Sequence, residues 1–236
     1  MKSLLLLISL SLVTATKLAA TETLDDFSKD SGLWKWSKGG GKGTHAVQNG
    51  RLEYSTNGGQ STNDSATHYL KSPVGRYDES WEVQADVYLG SFVLGGQNPY
   101  AGLALLVGNT SRPTRDFIRL QLRKGGDERR AFNADAHQGT KNLGSEWIDS
   151  TSTMATLKIS FNGNTKILTA SYDSDGAGIA SSFAAIYTIK IGSGPEGWKM
   201  RDADIFEFSL VSQTTGTVVA FGGMYFDNVV IRNLGR

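Results

Sequence analysis

Apolar and polar residues alternate one for one along segment after segment of this chain, and a period of two is the signature of β-strands. In Trp81-Glu-Val-Gln-Ala-Asp-Val-Tyr88, the residues Trp81, Val83, Ala85 and Val87 share one face, while Glu82, Gln84, Asp86 and Tyr88 share the other. Phe117–Arg123 repeats the pattern, with Ile118, Leu120 and Leu122 inward and Arg119, Gln121 and Arg123 outward. Thr156–Phe161 and Ile205–Leu210 do so again. Ala101–Val107 alternates poorly and is expected to be covered on both faces. Turn signals punctuate the runs at Asn49-Gly50, Asn162-Gly163-Asn164 and Asp173-Ser-Asp-Gly176. Roughly eleven to thirteen closely spaced strands, with no linker or repeat, predict one all-β domain over residues 21–236, a two-sheet antiparallel jelly-roll sandwich. Thr23-Leu-Asp-Asp-Phe-Ser28 and Met224-Tyr-Phe-Asp-Asn-Val-Val-Ile231 frame the chain and are expected to meet on a single sheet.

The first twenty residues stand apart. Lys2 precedes the ten-residue apolar run Leu4–Val13, and small residues near Ala15 and Ala20 would permit cleavage. A bilayer-spanning helix needs about 20 apolar residues, so residues 1–20 read as an export signal and not as an anchor. The mature protein is expected to be secreted, extracellular or periplasmic, and the absence of cysteine points to a bacterial source. Without Lys2 and Lys17 the chain carries 22 Lys and Arg against 23 Asp and Glu. That balance lacks the basic excess of a nucleic-acid binder, and no basic amphipathic helix is present to lie on a membrane.

The residues Asp25-Asp26-Phe27-Ser28 with Trp34, Asn49-Gly-Arg-Leu-Glu53, Trp81-Glu-Val-Gln-Ala-Asp86, the hairpin Ile159–Tyr172 and the ending Tyr225-Phe-Asp-Asn-Val229 together resemble the concanavalin A-like, laminin-G-like jelly-roll modules of exported bacterial proteins. The resemblance covers nearly all of the mature chain. It implies the fold, and a superfamily of lectins, carbohydrate-binding modules, glycoside hydrolases and polysaccharide lyases, among which fold alone does not choose.

Binding of a polysaccharide or glycoconjugate is the leading expectation. Sugars stack their C–H faces on aromatic rings and bond their hydroxyls to planar polar groups. Trp198, in the loop Gly194-Pro-Glu-Gly-Trp198, and Trp34 and Trp36 are the candidate platforms. Trp147 lies in a similar segment. Glu82, Asp86, Arg119, Gln121 and Arg123 are the candidate polar groups on a sugar-facing sheet. A purely structural or protein-binding surface is the bland alternative.

The enzyme alternative rests on Asp202-Ala-Asp-Ile-Phe-Glu207, which resembles the Glu-x-Asp-x-x-Glu strand of laminarinase-type retaining hydrolases. The resemblance implies Asp202 as nucleophile, Glu207 as acid/base and Asp204 between them. Such chemistry needs two carboxylates about 5 Å apart, and only a β-bulge would turn both onto one face. His137, set beside a Tyr or Arg of another strand, would serve a lyase. No cofactor is implied, with one exception. Many jelly-roll modules hold a structural calcium between their terminal strands, which makes Asp25, Asp26 and Asp227 the candidate ligands.

Overall fold

A computed structural model describes residues 20–38, 40–56, 63–90, 95, 98–109, 116–176, 182–192 and 198–236. The expected export signal, apart from Ala20, and the Gly194–Gly197 stretch before Trp198 lie outside the described residues. Among the described residues sixteen strands form two antiparallel sheets. The terminal sheet, which holds the first and last described strands, has the order β14 (Ala184–Lys190), β13 (Ile167–Asp173), β12 (Met154–Asn162), β7 (Ser80–Leu89), β16 (Val219–Gly235), β4 (Arg51–Thr56) and β3 (Thr44–Gln48). There β1 (Thr21–Asp25) also pairs with β16, Thr21 opposite Asn233 and Asp25 opposite Val229, so the framing segments do meet. The facing sheet has the order β11 (Lys141–Ser150), β10 (Arg130–Gln138), β9 (Asp116–Gly125), β8 (Tyr100–Asn109), β15 (Ile205–Thr215), β5 (Asn63–Leu70) and β2 (Trp34–Lys38), with β6 (Gly75–Arg76) on β15.

The alternating residues of both sheets meet in one core. Trp81 of β7, Phe161 of β12 and Phe206 of β15 pack with ring centroids 4.8–5.8 Å apart, across the gap between the sheets. Phe132 stacks on Tyr172 at 4.0 Å and closes one side of the sandwich. At the other side, His45 of β3 reaches His68 of β5, Nδ1 to Nδ1 at 3.0 Å, and its Nε2 meets the Ser212 hydroxyl of β15 at 2.7 Å. Burial drives the pKa of His45 well below its ordinary value and lowers that of His68 to about 4.

Local chemistry sets the turns. Asn49 and Gly50 both adopt positive φ, 54° and 69°, between the paired Gln48 and Arg51. That is the two-residue hairpin whose twist matches its strands. Ala101–Leu105 is buried on both faces, as its poor alternation implied. Gly102 is the reason one face can be so covered: a Cβ there would come within 2.3 Å of the Tyr100 hydroxyl, whose ring lies across it.

Candidate functional site

On the facing sheet the hairpin β9–β10 sets outward side chains directly opposite one another: Arg119 faces Asp135, Gln121 faces Asn133, and Phe117 faces His137. Opposed Cβ atoms lie only about 5 Å apart, so these pairs bond. Arg119 donates two hydrogen bonds to the Asp135 carboxylate, at 2.9 and 3.2 Å. His137 meets the same carboxylate at 2.8 Å, and its ring stacks on Phe117 at 4.7 Å. The Tyr100 hydroxyl donates to Gln121 Oε1 at 2.6 Å, Gln121 Nε2 to Asn133 Oδ1 at 2.6 Å, and Asn133 Nδ2 to the Glu146 carbonyl at 3.1 Å. This relay runs one way, so each amide has a fixed orientation.

Arg123 completes the face. Its guanidinium carbon rests 4.5 Å from the Tyr100 ring centroid and 4.5 Å from that of Trp147, which projects from β11. Burial lowers the Arg123 pKa from its ordinary value, yet a guanidinium stays charged. Trp147 is half exposed, and its Nε1 donates to Ser145 Oγ at 3.0 Å. Strand β8 contributes only the small Gly102 opposite Arg123 and Ala104 opposite Gln121, while Gln121, Asn133 and Asp135 are themselves buried beneath the rings. The result is an aromatic shelf over buried, fixed amides, with a paired arginine and an unpaired one. Chemically that suits a ligand with apolar faces and many hydroxyls.

The candidates named from sequence fall in three places. Arg119, Gln121 and Arg123 belong to this face. Glu82 and Asp86 do not: they lie on β7, on the outer face of the opposite sheet. There Arg232 ties Glu82 to Glu22, while Asp86 accepts from Thr156 Oγ1 at 2.5 Å and Asn228 Nδ2 at 2.9 Å. The expected five-residue polar face is thus two separate faces. The tryptophans also divide. Trp198 is fully buried against Phe206, its Nε1 donating to the His137 carbonyl at 2.9 Å, so it closes the core and offers no platform. Trp34 packs between Phe27 and Phe208 and donates to Asp25 Oδ2 at 2.7 Å. Trp36 is half exposed, but on β2 at the far edge of the sheet from Trp147. Trp147, Tyr100, Asn133 and Asp135 were not picked out as binding groups. The alternation Phe132, Ala134, Ala136 against Asn133, Asp135, His137 was the available signal, muted by its two alanines.

Both chemical alternatives lose geometry. Strand β15 keeps a regular register from Phe206 opposite Asn109 to Thr215 opposite Tyr100, with no bulge. Glu207 stands outward opposite Gly108, while Asp202 and Asp204 lie in the turn before the strand. Asp204 is occupied there, its carboxylate accepting from the Arg201 N–H at 2.8 Å. For the lyase expectation, His137 stacks on Phe117 and bonds to Asp135, and Arg119 is linked to it only through that shared carboxylate. The calcium set does not form a cage. Asp25 is buried and already accepts from the Phe27 N–H, the Ser31 hydroxyl and the Trp34 indole. Asp26 accepts from the Ser28 N–H, and Asp227 from the Asn228 N–H. Among the described residues no three or more His, Cys, Asp or Glu are grouped to hold a metal ion.

No family model matches the chain, and no curated protein does. Solved structures do match. A legume lectin-like domain from Entamoeba histolytica superposes with a TM-score of 0.54 at 13% identity, over 85% of this chain and 89% of that one. The CBM2 module of the evolved Dit of Lactobacillus casei BL23 phage J-1 gives 0.58 at 12% identity, over 90% and 95%. The fold is concanavalin A-like. A Bauhinia forficata lectin, solved in complex with GalNAc, adds a TM-score of 0.56 at 9% identity, over 91% and 98%. The lectin-like sandwich is therefore shared almost end to end with these proteins, while its side chains are its own.

Proposed function

We propose that this protein is an exported, non-catalytic, lectin-like module that binds a polysaccharide or glycoconjugate on the outer face of β8–β11. The observation that carries the reading is the ledge formed by Tyr100, Arg123 and Trp147 over the oriented Gln121–Asn133 relay. A sugar ring has an apolar face for Trp147 and polar substituents for the Arg123 guanidinium, while the buried amide relay holds the Tyr100 ring in place beneath them. The lectin-like fold supports the same reading. Export is supported by the apolar run Leu4–Val13 behind Lys2, and a bacterial source by the absence of cysteine.

Affinity electrophoresis through soluble polysaccharides, backed by a glycan array, tests it. At least one saccharide class should retard the wild type, and Trp147→Ala should relieve that retardation while the protein stays folded. Retardation by no glycan at all would leave the face a structural surface.

A further inference from the structure

Two arginines stand four residues apart on the same face of β9 and are treated differently. Arg119 is neutralised by two hydrogen bonds from its guanidinium to Asp135. Arg123 makes no hydrogen bond and no ion pair to any described residue; what it touches are the rings of Tyr100 and Trp147. The nearest acidic influence is Asp127 at the hairpin tip, which Arg129 engages. Stacking uses the flat faces of a guanidinium and leaves its in-plane N–H donors available. Those donors form a rigid fork whose spacing matches two oxygens of one carboxylate or sulfate. The position is fixed before any ligand arrives, since Gly102 leaves room for the Tyr100 ring and the Tyr100 hydroxyl is anchored on Gln121. A half-buried cation without a counter-charge is costly, and a ligand that brings the counter-charge recovers that cost.

We propose that Arg123 is the anion-recognising residue of this face, and that the saccharide it selects is acidic, carrying a carboxylate or sulfate group beside the ring that stacks on Trp147. This rests on the carbohydrate-binding reading above and names its substrate class. A neutral sugar would meet the aromatic shelf but would bring the Arg123 fork no counter-charge.

Titration calorimetry with four probes tests it: a galacturonate trisaccharide, its methyl ester, a sulfated galactan oligosaccharide and a neutral galactan oligosaccharide. An acidic probe should bind at least tenfold more tightly than its neutral counterpart. The uronate and sulfate arms identify which anion is meant. Raising salt from 20 to 200 mM should weaken the acidic probe and spare the neutral ones, as for any charge-based contact. Arg123→Gln should remove the acidic preference, the acidic and neutral probes then binding alike, and Arg123→Lys should restore part of it, since an ammonium keeps the charge without the fork. Equal affinity for acidic and neutral probes in the wild type overturns the proposal, as does an acidic preference that survives Arg123→Gln. If neutral binding is seen and depends on Trp147 alone, the proposal fails while the carbohydrate reading stands. If no probe of any kind binds, both fail. Should Arg123→Gln lower the melting temperature, the wild-type ratio and Arg123→Lys decide.

Discussion

The two broad outer faces of this sandwich are built from the same kinds of residue and end up in opposite states. Along β1, β4, β7 and β16 of the terminal sheet the charges are closed on one another. Glu22 and Glu82 share Arg232, Asp86 is held by Thr156 and Asn228, and the buried Glu53 takes Gln48, Asn49 and Arg51. On the facing sheet one guanidinium remains open between two rings, beside an oriented amide relay. A polar strand face is therefore not evidence of a site. What separates a solvated wall from a recognition surface is whether its groups have already satisfied each other.

The comparison can be broken most forcefully at Glu53. Replacing it by alanine leaves Arg51 and two amides without their acceptor, and hydrogen bonds to charged groups contribute about 1.5–3 kcal/mol each in partly buried settings. Glu53→Ala should lower the unfolding free energy in urea by about 2–3 kcal/mol, with glycan affinity unchanged at temperatures where the variant is folded. A variant as stable as wild type would deprive the terminal face of its structural role.

Next in size is an effect from between the sheets. His45 and His68 have folded pKa values below the unfolded 6.5, so the unfolded chain binds more protons in acid. The stability they permit is full above about pH 6.5 and falls as the pH drops from there toward about 4, the folded value for His68. At pH 5 the loss from His68 alone should reach about 2 kcal/mol relative to pH 7. Urea midpoints that stay flat over that range would show that the histidine bridge is not desolvated.

Trp147→Ala sharpens the other side of the comparison. Loss of a stacked ring is expected to weaken saccharide binding about tenfold, some 1.4 kcal/mol, with a melting temperature within about 2 °C of wild type. The reverse pattern, destabilisation with affinity intact, would make Trp147 a cover and not a platform. Smallest of all should be Arg232→Ala. It opens an exposed ion-pair network on the terminal sheet and should cost under about 1 kcal/mol, with no change in binding. A clear loss of affinity in that variant would move the site to the other face.

The sequence made the architecture legible because alternation is a local property. Trp81–Tyr88 and Phe117–Arg123 each announce which residues face in, and the framing segments announced a closed sandwich. What alternation does not carry is which sheet a strand joins. Strand β7 pairs with β12 and β16, and β9 with β8 and β10, through contacts distant in sequence in several cases. Glu82 and Arg119 therefore looked alike and lie on opposite sides of the molecule. Trp198 misled for a different reason. Its glycine- and proline-rich approach reads as an exposed loop, yet an indole can end such a loop by plugging the core, provided its N–H finds an acceptor, here the His137 carbonyl. The divided fates of Arg119 and Arg123 were invisible until Asp135 and Trp147 were placed beside them.

The pairing of β1 with β16 also has a mechanical consequence. Thr21 and Asn233 are neighbours, so tension applied at residues 21 and 236 bears on one end of that ladder. An antiparallel ladder pulled at adjacent ends opens rung by rung, each hydrogen bond carrying the load alone, whereas a ladder pulled along its length shares the load among all its bonds. The chain should therefore yield at low force along this seam. The first strand to peel away would be β1, which belongs to the sheet opposite the Tyr100–Trp147 ledge, leaving that wall of the sandwich folded while the seam unzips.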